Sequence, residues 1–249
     1  MFDHMKGYID YYGNLVRPSE EEILEFLKRE IGTLSSAHIL DAACGRGEIA
    51  HALAVEGAVV TAIENEQALL KQARAYALTD KVPRALQFQA APLLDLPGQA
   101  GSYHILLCLH NACSVLKNER EYAQFFQKAA QLLNKGGRLV VQLFNYDLIL
   151  DYQMSELPDL TDEENGVRLK RKLKLRNDGM LAMDTVLSVM RIDAKELSRQ
   201  QIVIYPIRKV LLQKLLQEAG FAVVDYFSGP DSAPWQEDSP STLLVAIRS

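Results

Sequence analysis

Strand-like and helix-like segments alternate through the first 145 residues of this 249-residue chain, and this alternation restricts the fold more than any other feature. The strand patterns, among them His38–Ala42, Ala58–Ile63 and Arg138–Phe144, are short and almost continuously apolar. Helix patterns such as Glu66–Leu78 and Glu119–Leu133 separate them. Continuously apolar strands joined by helices are typical of a parallel sheet that helices cover on both faces. The sequence therefore predicts a doubly wound α/β fold.

The pattern changes after about residue 150. Two strand-like runs, Val167–Arg176 and Leu181–Ile192, flank Asn177-Asp178-Gly179, which is a strong hairpin signal. Gln200–Tyr205 resembles a third strand. We therefore expect residues 151–205 to form an antiparallel β insertion between strand 5 and the last helix. The parent pattern then returns with a helix and two further strands: Lys209–Ala219, Phe221–Phe227 and Thr242–Ile247.

Charge and cysteine content exclude several classes of protein. The formal net charge is −5, and an acidic chain is a poor candidate for binding nucleic acid or anionic membranes. No apolar run approaches the roughly 18 residues of a membrane span, and the amino terminus lacks a secretory signal pattern. The three cysteines, Cys44, Cys108 and Cys113, lack the spacing of a zinc site. We expect free thiols, no metal and a cytoplasmic location.

A glycine-rich stretch follows the first predicted strand. Gly45-Arg-Gly47-Glu-Ile-Ala50 fits the loose pattern of dinucleotide-binding loops. Two glycines let a ligand approach the backbone, and the start of the next helix offers free N–H donors. Glu64 ends the next strand, where a carboxylate accepts hydrogen bonds from both ribose hydroxyls of an adenosine ligand. NAD and S-adenosyl-L-methionine (SAM) both fit these features.

Asp41 helps to decide between these two candidate ligands. It lies four residues before Gly45, near the end of the first predicted strand. A carboxylate next to the loop would repel the pyrophosphate of NAD, whereas it favours a sulfonium and an α-ammonium group. The sequence therefore favours SAM. The alternatives are that Asp41 only caps the turn and that Glu64 is a solvated acid at a strand end.

Four segments resemble those of class I SAM-dependent methyltransferases, in the order of that family and over nearly the whole chain. They are the glycine-rich motif Ile39–Gly47, the second strand Val59–Glu64, the turn Leu132–Val141 and the turn Glu218–Phe221. The resemblance implies a Rossmann-like, seven-stranded methyltransferase sheet. It also implies a single SAM-dependent methyltransferase domain over residues 1–249, in which residues 151–205 cover the acceptor side.

Two segments resemble the glycine/sarcosine N-methyltransferase group more narrowly. They are Cys108-Leu-His-Asn111-Ala and Phe144-Asn145-Tyr146-Asp147. This resemblance, together with that of the wider family, implies a set of cofactor contacts: Tyr12, Arg17, Asp41, Ala43, Gly45, Gly47, Glu64, Ala91 and Leu109. The position of Ala91 departs from the acid or amide that the family usually has there. Phe144 replaces the arginine that binds the carboxylate of glycine in that group, which argues against glycine as the acceptor.

Methyl transfer is an in-line displacement from a good leaving group, so the protein mainly supplies alignment and a suitable field. A general base is needed only when the acceptor arrives protonated. His110, which follows a strand at the predicted ligand edge, is the first candidate base, and Asn111 and Tyr146 are candidates for contacting the acceptor. The alternative roles are packing for His110 and strand-end capping for Tyr146.

The sequence thus predicts an enzyme that methylates a small-molecule acceptor with SAM, at nitrogen, without a nucleic-acid or membrane partner. A homodimer through the insertion strands stays open. A second hypothesis is a tRNA or protein methyltransferase that uses the basic strand of residues 168–176, although a solvated strand face also explains that run. A third is a SAM-binding protein without catalytic activity.

Overall fold

The computed structural model describes residue 15 and residues 20–79, 85–190 and 196–249. These residues divide into two compact units. The Rossmann-like unit contains the described residues of 18–145 and 207–249. The four-stranded unit contains Leu15 and the described residues of 146–206.

The elements are numbered here in chain order. They are α1 (Glu20–Ile31), β1 (His38–Ala42), α2 (Glu48–Val55), β2 (Val59–Ile63), α3 (Gln67–Thr79), β3 (Leu86–Gln89), β4 (Tyr103–Cys108), a short 3₁₀ helix (Ala112–Val115), α4 (Glu119–Leu132), β5 (Leu133–Phe144), α5 (Tyr146–Asp151), β6 (Glu156–Asp162), β7 (Val167–Leu175), β8 (Leu181–Val189), β9 (Glu196–Ile204), α6 (Lys209–Glu218), β10 (Phe221–Phe227) and β11 (Ser241–Arg248).

A seven-stranded sheet with the order β10-β11-β5-β4-β1-β2-β3 forms the centre of the Rossmann-like unit. Strands β1 to β5 pair in parallel, whereas β11 runs antiparallel to both β5 and β10. The predicted doubly wound sheet is confirmed. The strand order reverses between β1 and β4, and open sheets of this kind bind ligands at the carboxyl ends of the strands flanking such a point.

Apolar side chains on both faces of the sheet hold this unit together. Ile39 and Leu40 of β1 are fully buried, as the continuously apolar strand pattern predicts. Helix α1 contributes Phe26 and Leu27 to the same core, with its three glutamates in the first turn, where they complement the helix dipole. The carboxyl ends of the parallel strands are thereby fixed on a rigid scaffold.

The four-stranded unit is an antiparallel sheet with the order β6-β7-β8-β9. The predicted hairpin joins β7 to β8: Gly179 has a φ of +77°, and the Asp178 side chain accepts the Met180 N–H at 3.1 Å. Leu15 packs against Leu169 and Leu187 in the core of this unit. The antiparallel insertion is confirmed, whereas its place over the acceptor side stays a prediction.

The sequence pattern did not predict α5 or β6. Strand β6 contains Pro158 and alternates poorly between apolar and polar residues. Proline is tolerated there because β6 is an edge strand that pairs only with β7, and the Pro158 carbonyl accepts a bond from buried Arg171 at 2.9 Å. No helix in the described part of the chain has the length and apolarity needed to cross a bilayer.

Candidate functional site

A tight loop leaves the carboxyl end of β1 and turns into α2. Ala43, Gly45 and Gly47 all have positive φ angles, of 65°, 60° and 81°. The Cys44 N–H donates to the Ile63 carbonyl at 2.9 Å, which ties the loop to the end of β2. Ala43 has a Cβ atom and therefore bears strain in this conformation, and such strain is concentrated at functional sites.

The two glycines of the loop serve different purposes. A Cβ atom on Gly45 would meet nothing within 4 Å, so a ligand can approach the backbone there. A Cβ atom on Gly47 would lie 2.7 Å from the Phe88 ring and 3.1 Å from Ala73 Cβ. Gly45 therefore forms an open cradle, whereas Gly47 permits close packing of the loop against β3 and α3.

We expect Gly47→Ala to lower the free energy of unfolding by about 3 kcal/mol, because left-handed strain and overlap with Phe88 add. Gly45→Ala introduces only the left-handed backbone strain, so its free energy of unfolding should fall by about 1 kcal/mol. Urea unfolding of both variants measures this difference. Equal losses in the two variants would contradict the assignment of a packing role to Gly47.

Glu64 binds the glycine loop from the end of β2. Its Oε2 accepts the Gly45 N–H at 3.0 Å, and its Oε1 accepts the Glu66 N–H at 2.8 Å. Burial raises the pKa of this carboxyl, while the backbone N–H bonds oppose that rise. Each carboxylate oxygen has a second lone pair, so Glu64 can still accept hydrogen bonds from a diol.

Asp41, on β1, is a buried acid near two other acids, Glu64 and Glu48. Its side chain lies within the sheet edge at 4% exposure, and Oδ2 has no hydrogen-bond partner among the described residues. Burial, followed by the negative charges of Glu64 and Glu48, raises the pKa of Asp41 to about 7. A buried carboxyl left unsatisfied and next to other acids fits a cationic ligand that would supply the missing partner.

The carboxyl end of β4 carries the second strained segment. His110 and Asn111 have φ angles of 53° and 60°, and two consecutive left-handed residues with side chains are uncommon. The His110 N–H donates to Gln142 Oε1 at 3.2 Å, and Asn111 Oδ1 accepts the Phe144 N–H at 3.1 Å. Both bonds join the β4 end to β5, so the loop is held in this conformation.

Two free thiols lie below this loop. Cys108 and Cys113 are fully buried, with their Sγ atoms 3.3 Å apart. The hydrogen bond between the thiols and their burial raise the pKa of Cys108. They act as small core residues, as expected for free thiols.

The structure brings together most of the predicted site residues. Those at the carboxyl ends of β1, β2 and β4 share one edge of the sheet: Asp41, Ala43, Gly45, Gly47, Glu64, Leu109, His110 and Asn111. Ala91 lies two residues beyond β3 and is half-buried. Tyr146 is buried at the start of α5 in the four-stranded unit. Tyr12 and Arg17 lie outside the described residues. The individual roles of these residues stay predictions.

Two residues that organise the site were missed from the sequence. Gln142 holds His110 through a side-chain oxygen, and Phe88 excludes a side chain at Gly47. Each lies on a strand distant in sequence from its partner, so no local pattern could reveal the contact. Within the described residues, no group of His, Cys, Asp or Glu side chains could hold a metal ion.

Part of the chain is similar in sequence to known methyltransferases. Residues 39–137 match the family model described as "Methyltransferase domain". The ubiquinone biosynthesis O-methyltransferase of Xylella fastidiosa (strain M23) is 33% identical over 125 residues, which cover 50% of this chain and 48% of that protein. The chain thus spans about half the length of the curated relatives it matches.

Solved structures match over almost the whole chain. A SAM-dependent methyltransferase from Clostridium acetobutylicum ATCC 824 superposes with a TM-score of 0.81 at 12% identity, covering 98% of this chain and 99% of its own. The SAM-bound amino pentose methyltransferase CalS10 of Micromonospora echinaspora has a TM-score of 0.70 at 18% identity, covering 97% and 96%. At these identities the likeness concerns the fold.

These findings confirm the predicted fold. The match of residues 39–137 to a methyltransferase domain supports the predicted enzyme class and SAM as its cofactor. The comparisons do not confirm the narrower glycine/sarcosine N-methyltransferase group, since the similar curated relatives are O-methyltransferases. Residues 39–137 match the methyltransferase domain family, and the chain has the fold of solved SAM-dependent methyltransferases.

Proposed function

We propose that this chain transfers a methyl group from SAM to a small-molecule acceptor. The observation that carries the proposal is the pair of buried carboxyls, Asp41 and Glu64, beside the open cradle at Gly45. A sulfonium ligand needs negative charge without a competing cation, and an adenosine needs an acceptor for its ribose hydroxyls. Both needs are met at the edge of the sheet where this fold binds ligands.

Some residues of the chain would bind the cofactor, and others would hold the loop that contacts the acceptor. SAM supplies an activated methyl group that leaves from a sulfonium. Asp41 would offset the positive charge of the cofactor, and Glu64 would bind the ribose while its bond to Gly45 holds the loop. Ala43 and Gly45 would keep the backbone close to the ligand through their left-handed conformations. Alignment in a preorganised field then provides the acceleration.

His110 and Asn111 would form the acceptor side of the site. Their backbones are fixed by bonds to Gln142 and Phe144. His110 would take a proton from an acceptor that arrives protonated, since a neutral imidazole is a suitable base near neutral pH. Asn111 already uses Oδ1 to hold Phe144, so it would act by fixing the loop at least as much as by touching the acceptor.

We expect His110→Ala to leave the dissociation constant of SAM within about twofold and to lower kcat by 10²- to 10⁴-fold, the range of general acid–base catalysis. Isothermal titration calorimetry and release of S-adenosylhomocysteine measure the two quantities. His38→Ala is the control, because His38 is an exposed histidine at the opposite end of β1. An unchanged kcat in His110→Ala would make this histidine a packing residue.

Nitrogen is the proposed acceptor atom. The segments around Asn111 and Asn145 support it through their resemblance to N-methyltransferases, and the structural neighbour CalS10 acts on an amino pentose. Phe144 in place of an arginine removes the group that would bind the carboxylate of glycine. An apolar ring at that position suits an acceptor without a carboxylate there.

Oxygen is the alternative acceptor atom, because the similar curated relatives are named as O-methyltransferases of ubiquinone biosynthesis. A panel of amino sugars and other amines, set beside catechols and other phenols, separates the two in an assay of S-adenosylhomocysteine release. Turnover of the amines alone supports nitrogen. Turnover of the phenols alone overturns it in favour of oxygen.

The basic strand gives less support to a nucleic-acid substrate than its sequence indicated. Lys170, Lys172 and Lys174 lie on one exposed face of β7, whereas Arg171 is buried on the other face. Arg168 and Lys170 both approach Asp159, at 3.8 and 3.9 Å, and Lys172 lies in register with Asp184 and Glu156. These acids offset much of the positive charge, and such pairs are typical of a solvated strand face.

The first test is calorimetric titration of the full chain with SAM and with S-adenosylhomocysteine. Micromolar binding of both supports the proposed cofactor site. Binding of neither contradicts it. Binding without turnover on any acceptor class, tRNA included, would favour the hypothesis of a SAM-binding protein without catalytic activity.

A further inference from the structure

A second pocket lies at the opposite edge of the same sheet. It has a volume of about 360 Å³ and is lined from three directions: by the segment before β1, by the first residues of β4 and by the first residues of β5. This is the amino edge of β1 and β4, whereas the glycine loop leaves their carboxyl edge. The pocket is therefore separate from the proposed methyl-transfer site.

The lining of this pocket carries positive charge. Lys135 and Arg138 both line it, and neither forms an ion pair with any described residue. No Asp or Glu is among the described residues that line the pocket. In a chain of net charge −5, two cations without acidic neighbours form a local site for an anion.

An irregular stretch near the start of β5 brings the two cations to the same pocket. Gly136 has a φ of +74°, which a residue with a side chain rarely adopts. A Cβ atom on Gly137 would lie 2.7 Å from Asn134 Oδ1 and 2.8 Å from its carbonyl oxygen. The stretch between Lys135 and Arg138 is thus compact, and both glycines are needed to form it.

His104 adds a neutral donor. Its Nδ1 accepts the backbone N–H of His38 at 2.9 Å. A neutral imidazole that accepts at Nδ1 carries its proton on Nε2, and that N–H is then a donor. The histidine ring lines the pocket and is exposed, so this donor is available to a ligand.

Hydroxyl donors complete the lining. Ser35 and Ser36 come from the segment before β1. Ser36 has a φ of 62°, and its N–H donates to the Gly57 carbonyl at 2.8 Å, which holds the strained turn in place. Strained non-glycine residues of this kind are concentrated at binding sites.

We propose that this pocket binds a compact phosphate-bearing anion. Arg138 and Lys135 would neutralise its charge, and the His104 Nε2–H and the serine hydroxyls would donate to its oxygens. The volume exceeds that of a single phosphate group, so a small phosphorylated metabolite fits as well as inorganic phosphate. The proposal is independent of the methyl-transfer function.

The test is calorimetric titration of the full chain with inorganic phosphate and, separately, with ribose 5-phosphate. Wild type should bind at least one of them saturably, and tighter binding of ribose 5-phosphate would identify an organic phosphate as the ligand class. The double variant Lys135→Gln/Arg138→Gln should lose at least about tenfold in affinity. The control, Lys172→Gln/Lys174→Gln, also removes two positive charges, but from the exposed face of β7. It should change the affinity for the phosphate probes less than about twofold.

Three results would overturn the proposal. They are no saturable binding of either probe up to about 10 mM, an equal loss in the control pair, and no loss in the pocket pair. If Arg138→Gln impairs folding, the single variant Lys135→Gln replaces the double variant, because the Lys135 side chain is exposed. We then expect a loss of about threefold in affinity for the phosphate probe. Urea unfolding, whose midpoint should stay close to that of wild type in all variants, reports the integrity of the fold.

Discussion

Glu64→Gln should weaken SAM binding by about 100-fold or more. The carboxylate offers charged acceptors to two ribose hydroxyls, and each such bond contributes about 1.5–3 kcal/mol. The amide also has only one acceptor oxygen, whereas Glu64 serves the N–H groups of both Gly45 and Glu66. One of these donors would lose its partner, which costs a further 1–3 kcal/mol or so of folding stability.

Glu66→Gln is the matched control for this variant. It also neutralises an acid, two residues away, and an amide oxygen can still accept the Ala68 N–H that Glu66 now accepts at 3.3 Å. Calorimetry measures SAM affinity in both variants, and urea unfolding measures stability. Wild-type affinity in a folded Glu64→Gln variant would contradict the ribose assignment.

Asp41→Asn should have opposite effects on stability and on cofactor binding. The pKa of Asp41 is raised from an ordinary value of 3.8 to about 7, mainly by burial. The folded protein therefore binds a proton that the unfolded chain releases between these two values. Stability consequently falls as pH rises through this window, by on the order of 4 kcal/mol in total. Above about pH 7 the loss of stability caused by the ionised Asp41 carboxylate is complete.

An asparagine does not titrate, so the variant lacks this dependence. The difference in the free energy of unfolding between Asp41→Asn and wild type should grow, in favour of the variant, by roughly 3 kcal/mol between pH 5 and pH 8. Urea titrations at the two pH values measure it. Asp225→Asn, at an exposed position of β10, should show no such growth. Parallel pH profiles for Asp41→Asn and wild type would exclude a raised pKa.

The same variant should bind SAM about 10- to 100-fold more weakly at pH 8, because a nearby carboxylate in a partly desolvated site stabilises a cation by a few kcal/mol. In wild type, SAM should favour the ionised form of Asp41 and release a proton on binding near pH 6.5. Calorimetry in buffers of different ionisation enthalpy detects that release. Full affinity in Asp41→Asn would show that the carboxyl has no role in binding.

The candidate cofactor site was largely predictable because its parts lie within short segments. The glycine loop between β1 and α2 and the acid at the end of β2 are local features with known spacing. Parallel strands place their carboxyl ends at one edge, so the alternating pattern was enough to bring Asp41, Gly45 and Glu64 together. The acceptor side was less predictable, since Asn111 and His110 depend on contacts with β5.

The purposes of individual residues depended on tertiary contacts. The motif does not distinguish Gly45 from Gly47. Only at Gly47 would an added Cβ atom overlap Phe88, which lies on a strand that begins about forty residues later. The raised pKa of Asp41 comes from burial and from the negative charges of Glu64 and Glu48, which spacing cannot show. Edge strand β6 was also undetectable, because an edge position tolerates proline and acids.

The sequence by itself determined the α/β architecture, the antiparallel insertion and the ligand edge, because hydrophobic period and turn residues act locally. Only the tertiary structure decided that Glu64 supports the glycine loop, that Asp41 Oδ2 has no hydrogen-bond partner among the described residues, and that Lys135, Arg138 and His104 share one pocket. Those relations join residues distant in the chain, and burial and charge at such contacts follow from packing alone.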